Sequence, residues 1–249
     1  MRLELIQLCI ADGEPETNLD RAIQRMLGAP RCDLILLPEL FTTGYAHDTW
    51  QGAAAKHTPS AVKRLSALAI ELRMAIAGSM ISLNDAGKLV NRLWLMLPDQ
   101  CTRHYDKAHL FGPMRERELL CAGTDSLAED FGDFRAAFSI CFDLRFPEVY
   151  RNAAISGSNL FCIVSEWPAP RAEALRVLAR ARAIENHAYL AVCNRVGVAK
   201  DGTEFGGASV VIAPDGAVLA DASTQPDALI SAELDASDCR KLREAIGTF

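Results

Sequence analysis

Glu39, Lys107 and Cys141 are the residues on which chemistry could rest. Each falls just past an apolar run: Glu39 in LILLPELFTTGY, Lys107 in RHYDKAHLF and Cys141 in FSICFDLRFPE. A thiol, a carboxylate and an ammonium suffice to cleave a carbon–nitrogen bond through a covalent thioester. A free thiol titrates near about pH 8.5, so Cys141 needs a base or a cation beside it to attack at neutral pH. A carboxylate pressed against Leu37, Leu40 and Phe41 is desolvated, which favours its protonated form and makes it a better proton acceptor. A fixed ammonium beside a carbonyl oxygen holds the charge of a tetrahedral intermediate. Taken singly, each has an ordinary alternative: a buried cysteine at a strand end, a loop glutamate, a solvated lysine. Three such residues in chain order, each at a strand end, point to one site.

The elements that must position them alternate. Leu3–Ile10, Asp33–Leu37, Met74–Ser79, Leu89–Pro98, Thr102–Tyr105, Phe134–Phe142, Leu160–Val164, Tyr189–Val196, Ala208–Ile212 and Ala217–Asp221 read as strands. Asn18–Leu27, Ser60–Leu72, Phe146–Ser156, Arg171–Asn186 and Ala236–Ile246 have helical periodicity, with Asn18 and Ser60 as N-caps. NDAG at 84–87 and Pro214-Asp215-Gly216 are hairpin turns. Strand–helix alternation with added hairpins predicts an α/β layered architecture with mixed sheets. Pro38 ends its strand and leaves Glu39 at a carboxyl-terminal strand edge, where open α/β sheets bind ligands. Cys141 sits at a strand-to-helix turn that lifts a nucleophile out of a sheet beside backbone N–H groups.

The composition excludes several classes. The chain has 249 residues, is 50% hydrophobic and carries a formal net charge of −6, which suits one core-forming domain over residues 1–249, with two small domains as the alternative, but gives no basic stripe for nucleic acid and no polybasic membrane anchor. No apolar run reaches membrane-spanning length, and the N-terminus opens on a strand rather than a signal peptide, so a cytoplasmic protein is expected. The eight cysteines contain no C-x-x-C pair, and His104 and His109 lack a third ligand at a metal-site spacing, so neither metal nor organic cofactor is expected.

Longer segments resemble the nitrilase (carbon–nitrogen hydrolase) superfamily. LLPELFTTGY matches its glutamate segment, YDKAHLF its lysine segment and ICFDLRFPEVYR its cysteine segment; LARARAIENHAYLAVCNRVG and GGASVVIAPDGAVLA follow in order. The resemblance covers nearly the whole chain. It implies a four-layer α-β-β-α sandwich of two mixed sheets, with Glu39 as general base, Lys107 as oxyanion stabiliser and Cys141 as nucleophile. It also implies a second glutamate after the lysine; PMRERELLCAG offers Glu116 and Glu118, and spacing from Gly123 favours Glu116. Within the superfamily the sequence is most similar to the omega-amidases, which act on the terminal amide of 2-oxo acids. Arg145 would then hold a substrate carboxylate bidentately. Trp167 would wall the pocket, with core packing an equal alternative, and the Phe142 backbone N–H would help hold the oxyanion. Arg145 has an alternative as a structural salt bridge to Glu148 or Asp143. Glu166, beside Trp167, departs from the neutral residue expected there and would repel an anionic substrate.

The activity implied is hydrolysis of small carboxylate-bearing amides with release of ammonia, by a homodimer. Other carbon–nitrogen hydrolase activities (aliphatic amidase, N-carbamoyl hydrolase, nitrilase) share the triad, and a non-catalytic scaffold of the same fold is the remaining alternative.

Overall fold

The computed structural model describes residues 1–247. Its strands, in chain order, are β1 (Arg2–Ile6), β2 (Leu34–Leu36), β3 (Ala75–Leu83), β4 (Leu89–Met96), β5 (Thr102–Asp106), β6 (Leu127–Phe131), β7 (Phe134–Ile140), β8 (Leu160–Ser165) and β9 (Tyr189–Asn194). A small ribbon follows, β10 (Val196–Val198) with β11 (Glu204–Gly206), and then β12 (Val210–Ile212), β13 (Val218–Asp221) and β14 (Leu229–Glu233). Two six-stranded sheets result, ordered β14-β1-β2-β3-β4-β5 and β13-β12-β9-β8-β7-β6. Each is mixed. β1, β2 and β3 run parallel, as do β7, β8 and β9, and antiparallel strands flank both trios.

The central strands are buried on both faces, which is why they read as continuous apolar runs. Leu3, Leu5, Leu34, Leu36, Ala75 and Ala77 of the first sheet join Phe138, Leu160 and Cys162 of the second in one core between the sheets. The opposite face of the first sheet (Ile6, Ile35, Ile76) is covered by helices Pro15–Leu27 and Thr58–Leu72 through Leu19, Met26 and Leu65. The second sheet is covered by helices Pro147–Ile155 and Ala172–Asn186 through Tyr150, Leu175 and Ala179. The layering is therefore α-β-β-α. Truncating a fully buried member such as Leu65, 0% exposed, to alanine would cost about 2–5 kcal/mol.

Two expected caps are corrected. The first helix starts at Pro15, whose fixed φ and missing N–H suit a first turn, so Asn18 lies inside it. The Asn18 amide instead ties two loops together, bonding Ala11 N and O at 2.9 and 2.7 Å and Thr42 O at 2.8 Å. The second helix begins at Thr58, continuous with a π-helical turn at Ala53–His57, so Ser60 caps nothing. The first strand stops at Ile6 rather than Ile10. The strand toward Cys141 stops at Ile140, and Cys141 opens a 3₁₀ turn, Cys141–Arg145. Among the described residues, no helix is long and apolar enough to cross a membrane.

Candidate active site

Glu39 and Lys107 follow strands of the first sheet, and Cys141 and Glu166 follow strands of the second. All four lie at carboxyl-terminal strand ends where the sheets meet. Pro38 and a left-handed Leu40 (φ 41°) turn the chain after β2, and Ser79 Oγ accepts from Leu40 N at 2.8 Å to fix that turn. Lys107 follows β5 directly, its N–H on Asn91 O at 2.9 Å. Gly123 packs on this strand end so closely that a Cβ there would lie 2.2 Å from Asp106 O. Cys141 is itself left-handed, φ 46°, a conformation a non-glycine residue adopts only when its surroundings enforce it.

Asp143 supplies that enforcement. Its Oδ2 accepts from Ile140 N at 2.9 Å, closing the turn around Cys141, and from Tyr105 OH at 2.8 Å. Its Oδ1 accepts from His109 N at 3.0 Å and lies 2.8 Å from His109 Nδ1. Tyr105 and His109 flank Lys107, so one carboxylate ties the Cys141 turn to the lysine's strand end.

The reactive groups meet at 0% exposure for Glu39, Lys107 and Glu116 and 6% for Cys141. Lys107 Nζ donates to Glu39 Oε1 and Glu116 Oε1, both at 2.8 Å. Asn91 Nδ2 donates to Glu39 Oε1 at 2.8 Å, and Glu166 N donates to Glu39 Oε2 at 2.8 Å. Tyr45 OH donates to Glu116 Oε1 at 2.8 Å and lies 3.3 Å from Glu39 Oε1. Phe111 N donates to Glu116 Oε2 at 2.6 Å. Glu39 and Ser165 are neighbours of the Cys141 thiol. Glu118, by contrast, is exposed and pairs with Arg115 at 3.0 Å.

Burial sets the proton affinities. It pushes Glu39 above its ordinary value, with the Lys107 charge opposing. It pushes the Cys141 thiol well up too, and the nearby Glu39 charge adds to this while Lys107 opposes. Burial alone pulls Lys107 down, but Glu39 and Glu116 outweigh it and hold the ammonium well above the usual lysine range. The cluster thus combines a protonated thiol, a firmly charged ammonium and a carboxyl of raised basicity. Such a set can deprotonate the thiol only as it attacks, rather than store a thiolate.

A narrow cavity opens from Cys141. Tyr45, Phe111, Phe142 and Trp167 wall it, Glu166 joins Cys141 at its buried end, and the exposed Arg145 and Arg171 border it. The Arg145 guanidinium lies 5.2 Å over the Trp167 ring and that of Arg171 lies 5.1 Å over Phe111. Asp143 is taken up by the cysteine turn, so Arg145 is not its salt-bridge partner. A larger open groove runs past Asp33, Asp99 and Asp130 and holds none of the reactive groups. Among the described residues no three His, Cys, Asp or Glu side chains gather to hold a metal ion.

Glu39, Lys107, Cys141, Glu116, Phe142, Arg145 and Trp167 thus all come to one place. Sequence reasoning missed Tyr45, Asn91 and Asp143 as partners of the cluster, and Arg171 on the cavity. The fold and the cluster together define a carbon–nitrogen hydrolase, and the carbon-nitrogen hydrolase family model matches residues 2–244, so the chain belongs to that family. Among its relatives are the omega-amidase YafV of Escherichia coli K12, 34% identical over 98% of this chain and 93% of that protein, and the 2-oxoglutaramate amidase of Bacillus subtilis, 32% identical over 99% and 95%. Among solved structures, XC1258 of Xanthomonas campestris, a CN-hydrolase superfamily protein with an arsenic adduct in its active site, superposes with a TM-score of 0.92 at 30% identity, covering 99% of this chain and 95% of that one. Saccharomyces cerevisiae Nit3, a nitrilase-superfamily member, gives 0.91 at 27% identity over 100% and 94%.

Proposed function

We propose that this enzyme hydrolyses the terminal amide of small carboxylate-bearing amides, of the 2-oxo acid kind, and releases ammonia. The observation that carries the reading is a buried Cys141–Glu39–Lys107 cluster closing one end of a narrow cavity that Arg145 and Arg171 border. The amide would enter toward the thiol and the carboxylate would stay with the arginines. The omega-amidase and 2-oxoglutaramate amidase relatives support the substrate class.

Glu39 takes the thiol proton as Cys141 attacks the amide carbon. Lys107 and the Phe142 backbone N–H hold the oxyanion. As the intermediate collapses, Glu39 returns the proton to the leaving nitrogen, ammonia departs and a thioester remains. Glu39 then deprotonates a water that attacks the thioester, and the acid and the thiol are regenerated. Glu116 and Tyr45 keep Lys107 aimed.

The test is a panel of amides, nitriles and carbamoyl compounds read by ammonia release, with Cys141→Ala as the control. The expected result is preference for carboxylate-bearing amides and no turnover by the variant. Retained activity in Cys141→Ala would end the mechanism, and equal turnover of uncharged amides would end the substrate assignment.

A further inference from the structure

Glu166 lies at the buried end of the cavity, 2% exposed, and the reaction as described uses only its backbone. Its carboxyl is held from one side. Arg195 Nη1 donates to Oε2 at 2.9 Å, and Oε1 is buried with no hydrogen-bond partner. The same Nη1 lies 2.8 Å from Asp12 Oδ1, so one guanidinium serves two carboxyls. Arg195 is fixed in turn, with Nη2 on Ile10 O at 3.0 Å and its plane 4.3 Å over the Phe205 ring. Asp12 has a second donor, Lys200 N at 2.8 Å, whereas Glu166 has Arg195 alone.

The charges facing Glu166 decide its state. Asp12 shares its counter-ion, Glu39 is hydrogen-bonded to its own backbone N–H, and Tyr45 and Glu116 stand beyond. The balancing ammonium, Lys107, is already divided between Glu39 and Glu116, and Arg145 and Arg171 are exposed to water. Two buried carboxyls on one cation cannot both ionise cheaply, and the one with fewer donors keeps the proton. Because Arg195 occupies Oε2, the proton resides on Oε1.

We infer that Glu166 works as a neutral carboxylic acid whose Oε1–H is donated to an acceptor oxygen on the acyl part of the substrate, such as the keto oxygen of a 2-oxo acid amide. This rests on the proposed function and narrows it: the cavity selects amides whose acyl chain carries an acceptor. It also removes the conflict that an ionised Glu166 would create with an anionic substrate. Burial, opposed by Arg195, lifts this carboxyl to about 8, in keeping with a donor that is present at neutral pH and lost in alkali.

The test compares kcat/KM from pH 6 to pH 9.5, on the order of the range needed to cross that ionisation, for wild type, Glu166→Gln and Glu166→Leu. Glutamine must turn its carbonyl to Arg195 and so presents N–H to the cavity where Oε1–H stood. Glu166→Gln is expected within about threefold of wild type at neutral pH, with Glu166→Leu down about tenfold or more. Wild type should fall about tenfold per pH unit above pH 8, an alkaline limb that Glu166→Gln lacks. The 2-oxo acid amide should lose its advantage over the analogue with a methylene in place of the keto group in Glu166→Leu alone. Glu166→Gln as impaired as Glu166→Leu, or alkaline limbs that match in wild type and Glu166→Gln, overturns the inference.

A second measurement needs no substrate. The infrared difference spectrum between neutral and alkaline pH should show a protonated carboxyl band that disappears in wild type and is missing from Glu166→Gln, and identical spectra for the two refute the assignment. Wild type that turns over only uncharged amides sinks the proposed function while the spectrum still decides the state of Glu166.

Discussion

Replacing Lys107 with methionine leaves a hydrocarbon of similar length between Glu39 and Glu116, both at 0% exposure and both 2.8 Å from the lost ammonium. Removing one partner of a buried ion pair costs about 3–5 kcal/mol, because the remaining charge is left uncompensated. Unfolding entropy is about 2.1 cal/mol/K per residue, or ~0.5 kcal/mol/K for 249 residues, so the melting temperature should drop about 6–10 °C. The deficit should shrink toward acid, where one of the two carboxyls takes up a proton and the repulsion ends. Adding Glu116→Gln should recover part of it, since one excess charge is gone. Differential scanning calorimetry of the single and double variants at pH 5 and pH 8 (roughly the limits set by carboxylate titration) measures all three effects. Ammonia release should fall by about 10²–10³, the usual loss of one oxyanion donor. A Lys107→Met protein that melts within about 2 °C of wild type would refute the reasoning, because the two carboxylates would then be coping without a cation.

Three further outcomes are expected. Gly123→Ala forces its new Cβ against Asp106 O, 2.2 Å away, so it should cost about 1–3 kcal/mol and shift Lys107 enough to slow turnover about tenfold or more; calorimetry beside an ammonia assay checks both. Arg145→Ala should raise KM for carboxylate-bearing amides roughly tenfold and leave KM for an uncharged amide alone. For Glu166, raised from 4.5 to about 8, the sign is that of a group bound more tightly to its proton when folded. Its contribution is full below its unfolded value and is lost as pH rises through about 8. Wild-type stability should therefore decline across that window relative to Glu166→Gln, and parallel melting curves against pH would contradict it.

The parts legible in the sequence were those written in local pattern. Asp33–Leu37, Phe134–Phe142 and Leu160–Val164 read as strands because strands buried on both faces are continuously apolar, and the reactive residues stand where those runs stop. Glu116 was distinguishable from Glu118 only through the resemblance, since both look like loop charges until Phe111 N and Lys107 are seen on one of them. The edge strands β6 and β14 were not legible. LAEDF carries two acids because an edge needs no apolar run, and the pairing of Arg2–Ile6 with Leu229–Glu233 joins opposite ends of the chain. Asn91 hid in a strand of apolar neighbours, and Asp143 looked like a partner for Arg145 rather than for Tyr105 and His109. Side-chain wiring between distant segments leaves no periodic trace.

The division of the site between two sheets has a practical meaning. The Glu39 carboxyl and the Lys107 ammonium ride on one slab and the thiol on the other, joined across the seam by Glu166 N on Glu39 and by Asp143 on Tyr105. A slip of one slab against the other by a single residue would separate sulfur from carboxyl while leaving every strand and helix intact. Catalysis in this protein should thus be the first casualty of mild denaturant, vanishing while circular dichroism still reports full secondary structure. Turnover is in effect a ruler for alignment of the two halves.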